Sequence, residues 1–485
     1  MNMPNNGIRP TGFSSYAGVA VVMSMGLTMV AFWTFVAVSA YGVPWSPPYL
    51  NCLLLVAGEV GTGAAFVIGC LFLRRSQPRW LLVGVWIIGA VCRLMLLPAP
   101  PIWDNDSNRY LWDGAVWRSG YNPWRYSPHA ALAGTAPGLP DGLHRMAITH
   151  AQLIAHINHA GLPTIYPPVS EAIFAAAALI CPFSMIALKG LLLLFDTGTA
   201  IMVALSLRQL QLPAVWVLIY WLNPVVINAF ANEAHLDSVT LFFVAAFTFL
   251  LLCNRPWSAG AALGLAIGAK FWPVVLGAVL YRHYWSEPYR LAGAMLATAL
   301  AAGIALSPMM ITGPPAFTSL SAYVHYWQAN DLVFHGVFLF WSCLLWRWAA
   351  AQSAAWGTAI IILGGMALWL LRRCLVGKAL VRTSLLLIAT LFILSPIEFP
   401  WYYTWLLPML AICPRLSLLL WSCTLGLYHW AYLATWVVWV EHAPVIGLLI
   451  LEAFIPTLRG FFWESGVVER LTDAGQAPGP SRSIT

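Results

Sequence analysis

Charge is what this sequence has least of. Of 485 residues, 8% are Asp, Glu, Lys or Arg, against roughly 25% in an ordinary soluble domain. That argues against a soluble multidomain protein, although the length alone would allow roughly two or three domains. Cysteine is thinly spread as well. The nine cysteines sit mostly in apolar segments and form no CxxC pair, which argues against a disulfide framework and a zinc site. No glycine-rich phosphate loop opens a helix, so the usual nucleotide cradle is missing. No repeat of fixed period is visible. The net charge of +7 does not point to nucleic acid, because the arginines fall mainly in short loops, where they orient membrane proteins.

What is present is hydrocarbon. Hydrophobic residues make up 60% of the chain, in repeated runs near the ~20 residues that cross a bilayer. Tyr16–Val43, Asn51–Leu73 and Trp80–Leu97 read as the first three membrane helices. Arg74, Arg75 and Arg79 make the second connection basic, whereas Gly42–Tyr49 carries no charge. The positive-inside rule then puts the N-terminus in the cytoplasm and the connection after the third helix outside.

Tyr166–Pro182 and Val333–Trp348 are placed on the outer surface as interfacial helices. Crossings are assigned to Leu191–Leu207, Ala214–Phe230, Ser238–Cys253, Leu291–Met310, Trp356–Leu371 and Ser384–Leu394, with three more segments behind them. Ala259–Leu280 is broken by Gly268-Ala-Lys270 and by Pro273, so it reads as two half-helices meeting near the outer face. The expected plan is a cytoplasmic tail at 1–15, an integral-membrane domain at 16–463 and a cytoplasmic tail at 464–485. Within the domain, 100–189 form an outer loop with short interfacial helices.

One polar island interrupts the apolar chain, from Pro100 to Pro168. It contains Asp104, Asp106, Arg109, Asp113, Arg125, Asp141 and several histidines. In the topology above, three further polar connections fall on the same side. They hold Glu233, His235 and Asp237; His325, Asn330, Asp331 and His335; and Glu398, Trp401 and Tyr402. Wet loops are polar for no catalytic reason, but the acids and histidines concentrate here while the inner connections hold mainly Arg. That asymmetry outlines a site.

Several stretches carry a resemblance. Asp106-Ser-Asn-Arg-Tyr-Leu-Trp-Asp-Gly114, Tyr121-Asn-Pro-Trp-Arg-Tyr-Ser-Pro128 and Leu162-Pro-Thr-Ile-Tyr-Pro-Pro168 resemble polyprenyl-phosphate-mannose-dependent mannosyltransferases of the GT-C superfamily. Trp221-Leu-Asn-Pro224, Ala231-Asn-Glu-Ala-His-Leu-Asp237, Leu394-Ser-Pro396 and Pro400-Trp-Tyr-Tyr403 fit the same family. Where its members often carry Gly-His before Asn/Leu-Asp, this chain has Glu233-Ala-His235-Leu-Asp237. The resemblance implies an all-α polytopic membrane protein, a GT-C-type bundle of about 12–14 transmembrane helices. It also implies a lipid-phosphate sugar donor, inversion at the anomeric carbon and a catalytic Asp in the first outer loop. The Asp three residues before Arg-Tyr is Asp106.

The chemistry asks for the same residue types. Outside the cytoplasm there are no nucleotide sugars, so a glycosyl donor must arrive on a lipid. Inverting transfer needs a carboxylate to take the acceptor's proton, and Asp106 and Asp104 are the candidates. It needs cations for the departing phosphate, and Arg109, Arg125 and Lys270 are candidates. Substrate contacts are expected from Tyr110, Asp113, Tyr166, Glu233, His235, Asp237, Glu398, Trp401 and Tyr402. No cofactor or metal ligand set is assigned, and a divalent cation stays open. The expected partners are a polyprenyl-phosphate sugar, a lipid or glycan acceptor and membrane lipids, with no nucleic acid. The expected place is the plasma membrane, with the site facing the exterior or periplasm.

Blander roles compete at each position. Asp106 also suits a helix cap, and Arg109 an i,i+4 pair with Asp113. Lys270 suits a snorkelling cation, His235 a hydrogen-bonded loop histidine, and Trp401 and Tyr402 an interfacial belt. Glu59 and Arg93, both within membrane segments, are expected to pair with each other. A lipid-sugar flippase and a lipid-linked glycan polymerase or ligase are the alternative functions. The flippase needs no essential Asp, and the polymerase builds long chains.

Overall fold

The computed structural model describes residues 13–42, 48–72, 78–372, 375–431 and 434–455. The two expected tails and the Arg74-Arg75 pair lie wholly or mostly outside these residues. Of the described residues, 78% are helical. Among the described residues the nearest thing to a sheet is a single parallel bridge between Ala329 and Ile397. It is an all-α polytopic membrane protein.

Seven helices among the described residues are long and apolar enough to cross a membrane, and an eighth span is added if one bent pair counts as one. Pro288–Thr312 and Trp348–Leu370 show why a bilayer is needed, since Ile304 stays 73% exposed and Ile361 75%. Only the bilayer can remove such surface from water. The sequence count of crossings runs higher because some stretches it counted are short or broken: Asp237–Leu252 and Lys378–Ile393 have 16 residues each. Pro168–Ile180 and Val333–Leu345, which the sequence reading laid on the surface, have 13 residues each, roughly 20 Å of helix, too little to span. The stretch from Pro256 turns out to be two helices, Pro256–Ala269 and Gly277–His283, joined through Lys270 and a 3-10 turn at Trp272–Leu276.

Small residues set the closest helix contact. A Cβ on Gly260 would meet the carbonyl of Ala294 at 2.1 Å, and one on Gly264 the Ala301 methyl at 2.6 Å. The spacing of four lets Pro256–Ala269 lie backbone to backbone against Pro288–Thr312.

Charge inside the bundle is paired, though not as the sequence suggested. Arg93 does not meet Glu59. Its Nε donates to Asp196 at 2.5 Å and its NH1 to the Trp221 carbonyl at 2.8 Å, while the guanidinium lies 3.5 Å from the Trp221 ring centre. Tyr220 completes the Asp196 carboxylate with a 2.7 Å hydrogen bond. Glu59 instead accepts from Asn228 at 2.9 Å and lies 3.6 Å from His429. Intramembrane charge is costly without such partners, and each ion has found one remote in sequence.

The polar end of the bundle is built by helix breaks. Ala214–Trp221 and Pro224–Asn232 meet at 55°. Pro224 cannot continue the first helix, and Asn223 caps the second by accepting from the Val225 N–H at 3.0 Å. Asn223 also donates to Ser422 at 2.8 Å. The second piece unwinds into a π-turn at Asn228–Asn232, and Ala234 then takes a left-handed φ of +60°. That conformation is uncommon for a residue with a Cβ, and it delivers Glu233 and His235 to the same end as the polar island.

Candidate active site

The island's own helix, Asp106–Arg118, begins at a two-residue carboxylate step. Asp104 Oδ1 accepts the Asp106 backbone N–H at 2.6 Å. Asp104, one residue before the Asn105 cap, thus satisfies one of the orphan donors at the helix start, which leaves the Asp106 side chain free of capping. Gly114 lets this helix press on Pro168–Ile180, because a Cβ there would meet the Phe174 carbonyl oxygen at 2.4 Å.

Glu233 fixes the chain just ahead of that step. Its carboxylate accepts the N–H of Asp104 at 2.8 Å, the N–H of Trp103 at 3.3 Å and the Asn232 amide at 3.0 Å. Burial raises its pKa to about 7, against the pull of the Asp104 N–H and of the His429 charge. Glu233 was expected to touch substrate; its oxygens are committed to the backbone of the island.

His235 follows, 1% exposed and stacked on Trp401 at 4.0 Å and 15°. Its Nε2 stands 3.9 Å from Asp104 Oδ2, and neither ring nitrogen has a hydrogen-bond partner among the described residues. Burial, and then the Lys270 charge, depresses its pKa well below the usual range, so it is neutral. Trp401 is covered on its other face by Phe399 at 4.4 Å and 23°. Both faces of Trp401 are therefore taken by protein rings.

Asp237 closes the group. Its Oδ1 accepts from Lys270 at 2.7 Å and from the Trp405 indole at 2.6 Å. The Lys270 ammonium lies 4.0 Å above the Tyr402 ring and 5.1 Å from that of Trp405. Tyr402 in turn shares a 2.8 Å hydrogen bond with Tyr323. Lys270 does not snorkel; an acid and two aromatic faces hold it at the helix break.

The two island aspartates sit in contrasting fields. Burial raises Asp106, opposed by a hydrogen bond from Asn158 and by the charges of Lys270 and Arg109. Burial raises Asp104 further, helped by the negative charges of Asp106 and Glu233. Both remain partly accessible. Tyr110 and Tyr166 line the floor below them, edge to face at 5.1 Å, with Tyr110 stacked on Phe174 at 4.4 Å.

Other expected residues lie elsewhere. Arg109 donates to the carbonyls of Leu162, Asn158 and His159 at 3.1, 3.4 and 3.0 Å; it staples the island's return strand of chain. Asp113, buried beneath it at 3.9 Å, is raised to about 6 by burial against the Arg109 charge. Arg125 is exposed, 5.5 Å from the Tyr126 ring. Glu398 belongs to a second buried group, 3.3 Å from His442, beside Glu441 and Asn330. Asn330 also carries a left-handed φ of +57°. The His325 ring bonds the Ser321 carbonyl of its own helix, and its backbone carbonyl accepts from Gln352 at 2.7 Å.

Asn158, Tyr323 and Trp405 complete the site, and the sequence reading missed them. Tyr323 and Trp405 sit in aromatic-rich runs indistinguishable from a membrane-interface belt. Asn158 lies between two histidines that drew the attention. Among the described residues no group of three or more His, Cys, Asp or Glu is arranged to hold a metal ion.

The architecture and this cluster define a polytopic membrane protein with an acid–cation site at one end of its bundle. The model of glycosyltransferase family 87 matches residues 165–396, and this supports a membrane glycosyltransferase. The matched stretch contains Glu233, His235, Asp237 and Lys270; Asp104 and Asp106 precede it. No curated protein and no solved structure matches the chain.

Proposed function

We propose that the protein is an inverting glycosyltransferase of the GT-C type. It moves a hexose, mannose, from a polyprenyl-phosphate donor to a lipid or glycan acceptor at the outer face of the plasma membrane. The observation that carries this reading is the pairing of an uncapped, accessible Asp106 with a caged Lys270 at the polar end of an apolar bundle. Asp106 takes the proton of the acceptor hydroxyl as that oxygen attacks the anomeric carbon. The bond from that carbon to the phosphate oxygen breaks on the opposite face, and the lipid phosphate leaves with the bonding pair. Lys270 offsets its charge, a role for which an ammonium with three donors is suited. An apolar donor tail reaches such a site from the bilayer without leaving hydrocarbon.

The test is incubation of the purified protein with radiolabelled polyprenyl-phosphate mannose and a cell lipid extract, followed by identification of the product. A labelled glycolipid of inverted linkage is expected, and no labelled product overturns the reading. Orientation is checked by placing a cysteine at the exposed Thr135. An impermeant thiol reagent should label it in intact spheroplasts; labelling only after lysis would place the site on the cytoplasmic face.

A further inference from the structure

We infer that the space between Asp104 Oδ2 and His235 Nε2 is a seat for one hydroxyl of the acceptor, one that is neutral and does not react. The inference rests on the glycosyltransferase reading and adds where the acceptor binds and what it must present.

The geometry comes first. The two atoms are 3.9 Å apart, too far for a direct hydrogen bond. A single oxygen at about 2.8 Å from each fits between them, with an angle at that oxygen of roughly 90°. The space is real: Trp103, Asp104, Asn228, Glu233, His235 and Trp401 line a small cavity there. It is not an accident of loose packing, because His235 is 1% exposed and stacked on Trp401. A buried polar atom without a partner costs about 1–3 kcal/mol, and here both ring nitrogens lack one.

The chemistry then selects the occupant. A neutral imidazole donates or accepts at Nε2, and a carboxyl accepts when ionised and donates when protonated. Burial raises Asp104, and with one proton between the two atoms, whichever carries it, the bridging group must accept from one and donate to the other. A hydroxyl or a water does both, an ammonium cannot accept, and a phosphate dianion cannot donate. An acceptor that fills the seat while another hydroxyl reacts must be a polyol, such as a glycan residue, and not a simple lipid alcohol.

The experiment uses three probes on the full chain in phosphatidylcholine nanodiscs: octyl α-mannoside, 1-octanol and octyl phosphate. Hydrogen exchange of segment 228–237 should slow with octyl α-mannoside alone. His235→Phe, which keeps the stack on Trp401, should abolish that protection. With radiolabelled polyprenyl-phosphate mannose, the same variant should raise the KM for octyl α-mannoside at least tenfold and leave the donor KM unchanged. Equal protection by 1-octanol or octyl phosphate, undiminished protection in His235→Phe, or none with the mannoside overturns the seat. Protection with no transfer of mannose leaves the seat standing and removes the glycosyl-transfer reading instead.

Discussion

Lys270 Nζ and Asp237 Oδ1 are 2.7 Å apart, although 33 residues and a helix break separate them in sequence. The pair uses one of the three ammonium donors and holds the others toward the ring of Tyr402, 4.0 Å away. Lys270→Gln removes the charge and keeps most of the length. The donor KM should rise at least tenfold, about 1.4 kcal/mol, and thermal stability should fall as well, because Asp237 is left a buried charge. Arg109→Gln should spare the donor KM, because Arg109 is bound to three carbonyls of 158–162. Its loss should lower the melting temperature before it touches donor KM. Steady-state kinetics on both variants, beside unfolding followed by thiol-reactive dye, separate the two roles.

Asp106→Asn should fold, insert and lose activity. Because Asp104 supplies the acceptor for the first N–H of that helix, Asn at 106 disturbs no cap. A general base is worth typically 10²–10⁴-fold in rate, so the variant should fall in that range, with Asp104→Asn less affected. Retention of more than about a tenth of wild-type activity, outside the range for a base, would transfer that role to Asp104.

Glu233 sets a pH dependence. Its carboxylate receives two backbone N–H groups of the island, and its pKa is about 7. The ionised acceptor is complete only above that value, so the wild-type rate should rise through pH 7. Glu233→Gln should lack this limb, show a lower kcat and exchange the amides of Trp103 and Asp104 faster. Stability runs the other way. The folded state keeps a proton that the unfolded chain loses near 4.5, so this group's contribution falls as pH climbs from there to about 7. A wild-type profile flat across pH 6–8, or unchanged exchange in the variant, would remove Glu233 from this role.

Arg93 and Asp196 should behave as one unit. Breaking a buried pair by removing one partner costs about 3–5 kcal/mol. Arg93→Met or Asp196→Leu alone should therefore be strongly destabilised in a detergent melt, and the double variant should recover most of the loss. Glu59→Gln should show no coupling with Arg93→Met, since its partners are Asn228 and His429. Equal coupling in both cycles would contradict the pairing.

These contrasts mark where local pattern informs and where it stops. Asp106 and Lys270 stand out in the sequence because a polar island and a broken apolar run are visible residue by residue. The break at Lys270 could be read from Gly268 and Pro273 alone. The partner of Arg93 was not legible, since Asp196 lies 103 positions away and composition carries no register between helices. Glu233, Arg109 and Glu398 were recognised as unusual charges and misread in role. Ionisable type predicts that a group needs partners, but only the fold decides whether these are backbone, side chain or substrate. Trp401 shows the same limit for aromatics, because a stacking platform requires an open face and Phe399 closes it.

The bend at Asn223-Pro224 is fastened to Ser422, and Glu59 on the second helix is fastened to His429. Glu398, just ahead of Trp401 and Tyr402, is fastened to His442. Each tie joins an earlier part of the chain to one of the final helices. In biosynthesis the polar island is therefore made long before these supports exist. A nascent chain ending at residue 415 holds both aspartates, Lys270 and His235, yet the bend before Glu233 and His235 still lacks its tie to Ser422. The polar end is fastened only when the last helices insert, and a stop codon there leaves its acids, cation and imidazole made but untied.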